Sequence, residues 1–122
     1  MLTNTGNPAY KAPEIVEGNE YTYKYYIPTL IHFLSEKVDL WQLGVIVFEG
    51  LTGFNPFYSP NIKQVLQNIL LLEVNYDCEQ LSKISESGKK FLKQLLNKDP
   101  TKRLSAMQAY KHPWIGCTRS GN

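Results

Sequence analysis

The sequence predicts a mainly α-helical fold, and three observations indicate it. Several segments repeat apolar residues at helical spacing, capping residues precede those segments, and no run alternates apolar and polar residues as a half-buried strand would. At 122 residues the chain fits one modest domain or a piece of a larger one. Its 43% hydrophobic and 20% charged residues are typical of an ordinary globular protein and not of a disordered chain.

The first elements are a loop and a short helix. Residues 1–13 are rich in Thr, Asn, Gly and Pro, which favours turns. Pro13 suits the first position of a helix, and Glu14 lies near the positive end of that helix. We expect this helix to end at Gly18.

The strongest helix prediction covers residues 38–51. Apolar residues occupy almost the whole circumference of this segment, which predicts that it is buried on every side. Asp39 suits the start of the helix, and Gly53 supplies a stop before the turn at Asn55. The remaining predicted helices are too few and too short to bury all of this apolar surface. This indicates that the chain is a fragment of a larger domain.

Two amphipathic helices follow. Asn61 and Gln64 have the spacing of a capping box at the start of a helix over residues 62–72. Ser85 is the predicted cap of a helix that runs to Leu96. The apolar residues that share a face are Val65, Ile69 and Leu72 in the first, and Phe91, Leu92, Leu95 and Leu96 in the second.

The last predicted helix is short and covers residues 107–110. Ser105 and Gln108 have capping-box spacing before it, and Pro113 ends it. Because Trp114 can cover the end of the helix, we expect His112 and its two neighbours to serve packing rather than chemistry.

Charge and cysteine content exclude several classes of function. A net charge of +2, from 13 basic and 11 acidic residues, is too small to indicate nucleic-acid binding. Cys78 and Cys117 lie far apart without paired histidines, which favours reduced thiols over a disulfide framework or a metal site. The opening residues lack the features of a signal peptide, and the apolar stretches are too short to span a membrane. We therefore expect a cytoplasmic protein, with the nucleus as the alternative location.

Three separated motifs carry a family resemblance. The first lies at residues 6–14 and reads GNPAYKAPE; the second lies at residues 39–44 and reads DLWQLG. The third lies at residues 99–105, reads DPTKRLS and is followed by HPW at residues 112–114. In this order, and over nearly the whole chain, they resemble the C-terminal lobe of eukaryotic protein kinases. Among the kinases, the sequences of these motifs are most similar to those of calcium/calmodulin-dependent serine/threonine kinases.

The resemblance implies a fold and an activity. The fold would be the helical C-terminal lobe portion of the protein-kinase-like α+β fold, with the end of the activation segment and helices F to I. A partial kinase domain would cover residues 1–116, and a short tail residues 117–122. The whole kinase would use ATP and magnesium to phosphorylate Ser or Thr of a protein substrate, and this segment's other partner would be the rest of the kinase domain.

The resemblance also gives roles to charged residues. Glu14 would pair with Arg103 and tie the activation segment to the later helices; the alternative is two unrelated surface charges. Asp39 would hold the backbone of the catalytic loop from the start of helix F; the alternative is a simple acidic residue at a helix start. Trp41 is expected to fill the core under either interpretation.

The loop at the start of the chain would form the substrate groove. Its residues are Gly6, Asn7, Pro8 and Ala9. Asn7 departs from the family, which usually has Thr there to help position the catalytic aspartate. Thr3 falls where many kinases carry an activating phosphothreonine, and Thr5 is a competing phosphorylation site.

The motifs that bind nucleotide and perform catalysis are missing from the sequence. There is no G-x-G-x-x-G loop, no strand lysine, no His-Arg-Asp and no Asp-Phe-Gly. We therefore predict that this chain alone is inactive, binds no cofactor and contains no catalytic residue. The alternative function is a non-catalytic, kinase-derived interaction module that docks partners through the helix around residues 62–72.

Residues 22–34 are predicted to form an insert relative to the family. Glu14 and Asp39 lie 25 positions apart, and the family covers this separation in a much shorter distance. The extra residues are aromatic and apolar, so they are either a translated intron or a real insertion with an interaction surface.

Overall fold

A computed structural model describes residues 7–17 and 28–115, and within these ranges the chain is helical and has no strand. Its α-helices are α1 (Pro28–Thr52), α2 (Ile62–Leu71), α3 (Glu86–Leu95) and α4 (Ala106–Tyr110). Residues 13–17 and 113–115 are also helical, and Pro8–Tyr10 and Glu79–Leu81 form 3₁₀ turns. The mainly helical fold is thus confirmed. The predictions for Thr3, Thr5, Gly6, Gly18, Cys117, residues 22–27 and the tail lie outside the described residues.

The central helix α1 is longer than predicted. It begins at Pro28 and not at residue 38, so residues 28–34 of the predicted insert are part of it. Proline is tolerated in the first turn of a helix, and no further proline occurs before Pro56 to interrupt it. The helix ends at Thr52, one residue after the predicted end and directly before the predicted stop, because Gly53 adopts a φ of 90° that side chains disfavour.

One side of α1 forms the main core. Its buried residues Trp41, Val45 and Phe48 pack with Phe57, Ile69 and Leu92 from the rest of the chain. At Gly44 the helices α1 and α3 approach so closely that an added Cβ would lie 2.9 Å from Leu95 Cβ. Glycine therefore sets the distance between these two helices.

The other side of α1 is not covered by the described residues. Leu43 is 40% exposed and Ile46 is 43% exposed. The prediction that this helix is buried on every side is therefore wrong for the described part of the chain. The reason is that α3 and the neighbouring turns pack against one face only, which leaves an apolar strip on α1.

Two of the predicted helix caps are confirmed. Ser85 Oγ accepts a hydrogen bond from the Gly88 amide at 3.1 Å. Ser105 Oγ accepts from the Gln108 amide at 3.2 Å, while Gln108 Oε1 accepts from the Ser105 amide at 2.9 Å. This reciprocal capping box satisfies two backbone donors at the start of α4.

The other predicted capping box, at Asn61 and Gln64, is only half formed. Asn61 Oδ1 accepts from the amides of Lys63 and Gln64, so it does cap α2. The Gln64 side chain donates instead to Asn68 Oδ1 at 2.8 Å, one turn further along the helix. An i, i+4 amide pair therefore replaces the return bond of the box.

A second cluster packs α3 against α4 and the helical residues 113–115. It is formed by Leu40, Phe91, Leu95, Leu104 and Ala109. The Phe91 ring centroid lies 4.9 Å from that of His112 and 5.3 Å from that of Trp114. The His112–Trp114 turn thus serves packing, as predicted. No helix in the described part of the chain has the length and apolarity needed to cross a bilayer.

Candidate functional site

The guanidinium of Arg103 lies at the centre of the described polar contacts. Its side chain is fully buried, and it forms a bidentate ion pair with Glu14. Nη1 donates to Glu14 Oε2 at 2.8 Å, and Nη2 donates to Glu14 Oε1 at 2.9 Å. The pair links residues 89 positions apart, so it holds the helical turn at residues 13–17 against the segment before α4.

The same guanidinium also binds three backbone carbonyls. Nε donates to the carbonyl of Asn97 at 2.8 Å, Nη1 to that of Lys37 at 2.8 Å and Nη2 to that of Lys98 at 3.4 Å. All five donors of the side chain are therefore used. Its Cζ also lies 5.2 Å from the centroid of the Trp41 ring. A lysine could not reproduce this planar set of contacts.

The loop from Asn7 to Ala9 is anchored locally and at a distance. Asn7 Oδ1 accepts from the Ala9 amide at 2.9 Å and caps the turn that Pro8 begins. Ala9 is buried, and its carbonyl accepts from Asn55 Nδ2 at 3.4 Å. The loop is therefore fixed to the segment that follows α1.

An acidic cleft adjoins this loop. The Tyr10 hydroxyl donates to Glu49 Oε1 at 2.6 Å, and this bond to a carboxylate, with burial, raises the pKa of Tyr10. Glu49 lines a cleft of about 520 Å³ together with Gly53, Phe54, Asn55 and Tyr58. Because Glu49 is the one charged residue of that lining, the cleft suits a positively charged or hydrogen-bond-donating side chain.

Asp39 lies apart from the ion pair. Its side chain is exposed on α1, and it forms no hydrogen bond or ion pair with a described residue. The structure therefore brings Glu14 and Arg103 together but leaves Asp39 facing away. Trp41 is fully buried and stacks on Phe57 with ring centroids 5.3 Å apart, which confirms its place in the core.

Two lysines that donate to distant backbone carbonyls, the buried Lys37 and the half-buried Lys98, were missed by the sequence reasoning. Lys37 is 6% exposed, and its Nζ donates to the carbonyl of Arg103. Lys98 Nζ donates to the carbonyl of Ile69 at 2.8 Å, and desolvation by burial lowers its pKa. The available signal was helical spacing, since Lys37 lies one turn before Trp41, the residue predicted to fill the core.

The described residues provide no metal site. Their His, Cys, Asp and Glu side chains include no group of three that could hold a metal ion. Glu14 instead pairs with Arg103 through both of its carboxylate oxygens, and Glu49 accepts from the Tyr10 hydroxyl through one oxygen. The polar groups of this part of the chain therefore fix the backbone and shape a cleft.

Comparison with known proteins places these features in a family. The family model of the protein kinase domain matches residues 1–115. A probable myosin light chain kinase of Dictyostelium discoideum is 38% identical over 94% of this chain and 34% of its own length. Calcium/calmodulin-dependent protein kinase type I of Schizosaccharomyces pombe is 36% identical over 94% of this chain and 30% of its own.

A solved structure shares the arrangement of the helices. The twitchin kinase fragment of C. elegans superposes with a TM-score of 0.75 and 32% sequence identity. The match covers 95% of this chain and 23% of the twitchin chain. This chain thus spans about a third or less of the length of these three proteins.

Proposed function

The chain belongs to the protein kinase domain family and forms part of such a domain, and on this premise we propose that the full-length protein is a serine/threonine kinase. It would transfer the terminal phosphate of ATP to a Ser or Thr of a protein substrate. The observation that carries the proposal is the bidentate pair of Glu14 and Arg103. As its location we propose the cytoplasm, with the nucleus as the alternative, because the described cysteine Cys78 is a free thiol.

The ion pair would act as a latch for the substrate-binding loop. Glu14 lies a few residues after the anchored loop at Asn7, and Arg103 lies before α4. Because a buried pair is very costly to break once it is formed, it holds these distant segments in one arrangement. In a kinase this arrangement would keep the loop aligned with the reacting groups.

The loop and the acidic cleft would form part of the substrate groove. Asn7, Pro8 and Ala9 would contact the peptide near the phosphorylated residue. The cleft that Glu49 lines would take a basic side chain of the same peptide. Tyr10 would orient the Glu49 carboxylate, because its hydroxyl donates to one carboxylate oxygen and leaves the other available.

The remaining surface of α1 would contact the rest of the kinase domain. Leu43 and Ile46 leave apolar area exposed, which water disfavours and a packed neighbour would cover. Asp39 is exposed on the same helix, and it would accept hydrogen bonds from the backbone of the catalytic loop. Both features support a chain that works as a scaffold inside a larger domain.

The described residues do not fit a site for ATP and magnesium. They lack a group of acidic ligands for a metal ion, and the charged residue of the groove is a carboxylate that would repel phosphate. ATP and magnesium would therefore be bound by other parts of the full-length protein. This chain would position the peptide substrate and form the helical scaffold of the lobe.

Phosphate incorporation into a peptide tests the proposal. The full-length protein is incubated with radiolabelled ATP, magnesium and a peptide that has one serine and a neighbouring arginine. We expect label in this peptide, no label in the matched alanine peptide, and a strong loss of label with Asp39→Ala. If the full-length protein labels no serine or threonine peptide above a blank without protein, the proposed function is wrong.

A further inference from the structure

Lys37 and Arg103 form a reciprocal clasp. The Nζ of Lys37 donates to the backbone carbonyl of Arg103, and Nη1 of Arg103 donates to the backbone carbonyl of Lys37 at 2.8 Å. The two residues lie 66 positions apart, and they are 6% and 1% exposed. Each buried side chain thus satisfies a carbonyl of the other residue, which fixes both backbones.

The clasp shares a nitrogen with the Glu14 ion pair. Nη1 of Arg103 donates one hydrogen to Glu14 and the other to Lys37. The preceding residue on α1 adds a further link, because Glu36 Oε2 accepts from the Ala106 amide at 2.9 Å. The turn that contains Glu14, the segment at Arg103 and the start of α4 are therefore all linked to this part of α1. A shift of Lys37 would disturb the pairing of Arg103 with Glu14.

The geometry of the helix connects the clasp to Asp39. Successive residues of an α-helix are rotated by about 100°, so Lys37 and Asp39 point about 200° apart. Lys37 is buried against Arg103, whereas Asp39 is exposed on the opposite side. A contact that fixes the inner side of the helix at Lys37 therefore fixes the direction in which Asp39 projects.

We propose that Lys37 is a positioning residue of the kinase reaction. Its clasp with Arg103 fixes the rotation of α1 about its axis. It thereby orients the Asp39 side chain towards the backbone of the catalytic loop, which Asp39 would hold. The catalytic consequence rests on the proposed function, while the clasp itself rests on the two hydrogen bonds. Lys37 would not contact ATP or peptide, so its loss would slow the reaction without weakening peptide binding.

Steady-state kinetics of the full-length protein test this role. We expect Lys37→Met to lower kcat about tenfold and to change KM for the peptide by less than about twofold. Lys37→Arg should restore much of kcat, because its guanidinium can still donate to the Arg103 carbonyl. The matched control is Lys63→Met, the same change at an exposed lysine of α2, which should behave as the unaltered protein. The positioning role is wrong if Lys37→Met keeps the kcat of the control, or if the arginine variant is as slow as the methionine variant.

A double-mutant cycle separates this inference from the proposed function. Urea unfolding is measured for the full-length protein with Lys37→Met, with Glu14→Gln and with both changes. Because both residues act through Arg103, we expect the double variant to lose less than the two single losses together, by at least about fivefold in the unfolding equilibrium constant. Additive losses would overturn the clasp. If the full-length protein transfers no phosphate, the proposed function fails, and the cycle still decides whether the clasp exists.

If Lys37→Met does not fold, Lys37→Gln replaces it. Lys37→Gln keeps a polar end but is too short to reach the Arg103 carbonyl as lysine does. It can take the place of Lys37→Met in both experiments. The same kinetic and unfolding results are then expected, and the same results would overturn the inference.

Discussion

The Glu14→Gln substitution tests the ion pair at the centre of the described structure. Glutamine keeps the length of the side chain but removes its charge and replaces one acceptor oxygen with a donor NH₂ group. Arg103 would then keep its three bonds to backbone carbonyls, while one of its two remaining donors would face another donor. The change thus breaks the pair without creating a large cavity.

The expected loss of stability follows from burial. Breaking a buried ion pair by removing one partner typically costs about 3–5 kcal/mol. The Arg103 side chain is fully buried, but that of Glu14 is 14% exposed, so water can reach this side of the pair. We therefore expect the free energy of unfolding to fall by about 3 kcal/mol, the lower end of that range.

Urea denaturation of the full-length protein measures this loss. Glu17→Gln is the matched control, because Glu17 lies in the same helical segment, is exposed and should change the unfolding free energy by less than about 0.5 kcal/mol. Arg103→Met should cost more than Glu14→Gln, since it also leaves three backbone carbonyls without their donor. If Glu14→Gln unfolds within about 0.5 kcal/mol of the Glu17→Gln control, the latch does not contribute to the fold.

Three further predictions concern packing, capping and pH. Gly44→Ala should destabilise the protein by about 1–3 kcal/mol in thermal unfolding, because the new Cβ would meet Leu95 Cβ at 2.9 Å, whereas Gly50→Ala, with nothing within 4 Å, should be neutral or slightly stabilising. An equal effect of the two substitutions would contradict the close approach of α1 and α3. Ser105→Ala should cost about 1 kcal/mol through loss of its cap, and a measured loss near zero would show that the capping box is dispensable. Burial lowers the pKa of His112 below its usual 6.5, so the unfolded chain takes up its proton first as the pH falls. The stability that neutral His112 provides is therefore fully present above pH 6.5 and declines as the pH falls from there through the folded pKa. His112→Gln should flatten this part of the curve of stability against pH, and an unchanged slope would exclude His112 as its source.

Local rules predicted the ends of the helices well. Ser85 and Ser105 cap the helices that follow them, and Gly53 ends α1, because each depends on a few neighbouring residues. The start of α1 was predicted too late, at residue 38. The polar residues 35–37 separate the apolar pattern that begins at Val38 from the apolar residues of the insert, but none of the three is a glycine or proline that would end a helix, so α1 runs through them.

The long-range polar contacts depend on the whole fold. The pairing of Glu14 with Arg103 was expected only from the family resemblance, since no local pattern joins residues 89 positions apart. Lys37 and Lys98 donate to backbone carbonyls, and every residue has such a carbonyl, so the sequence contains no sign of which one is chosen. The exposure of Leu43 likewise depends on which surfaces pack against α1.

Phosphate transfer by the full-length protein and by the 122-residue chain, measured side by side, tests the central claim most directly. Both proteins are given radiolabelled ATP, magnesium and the same serine peptide at equal concentration. We expect the full-length protein to label the peptide and the 122-residue chain to stay at the level of a blank without protein, because the chain lacks the nucleotide-binding and catalytic motifs. Transfer by the chain alone, or no transfer by the full-length protein, would contradict the role of this chain as the scaffold of a kinase lobe.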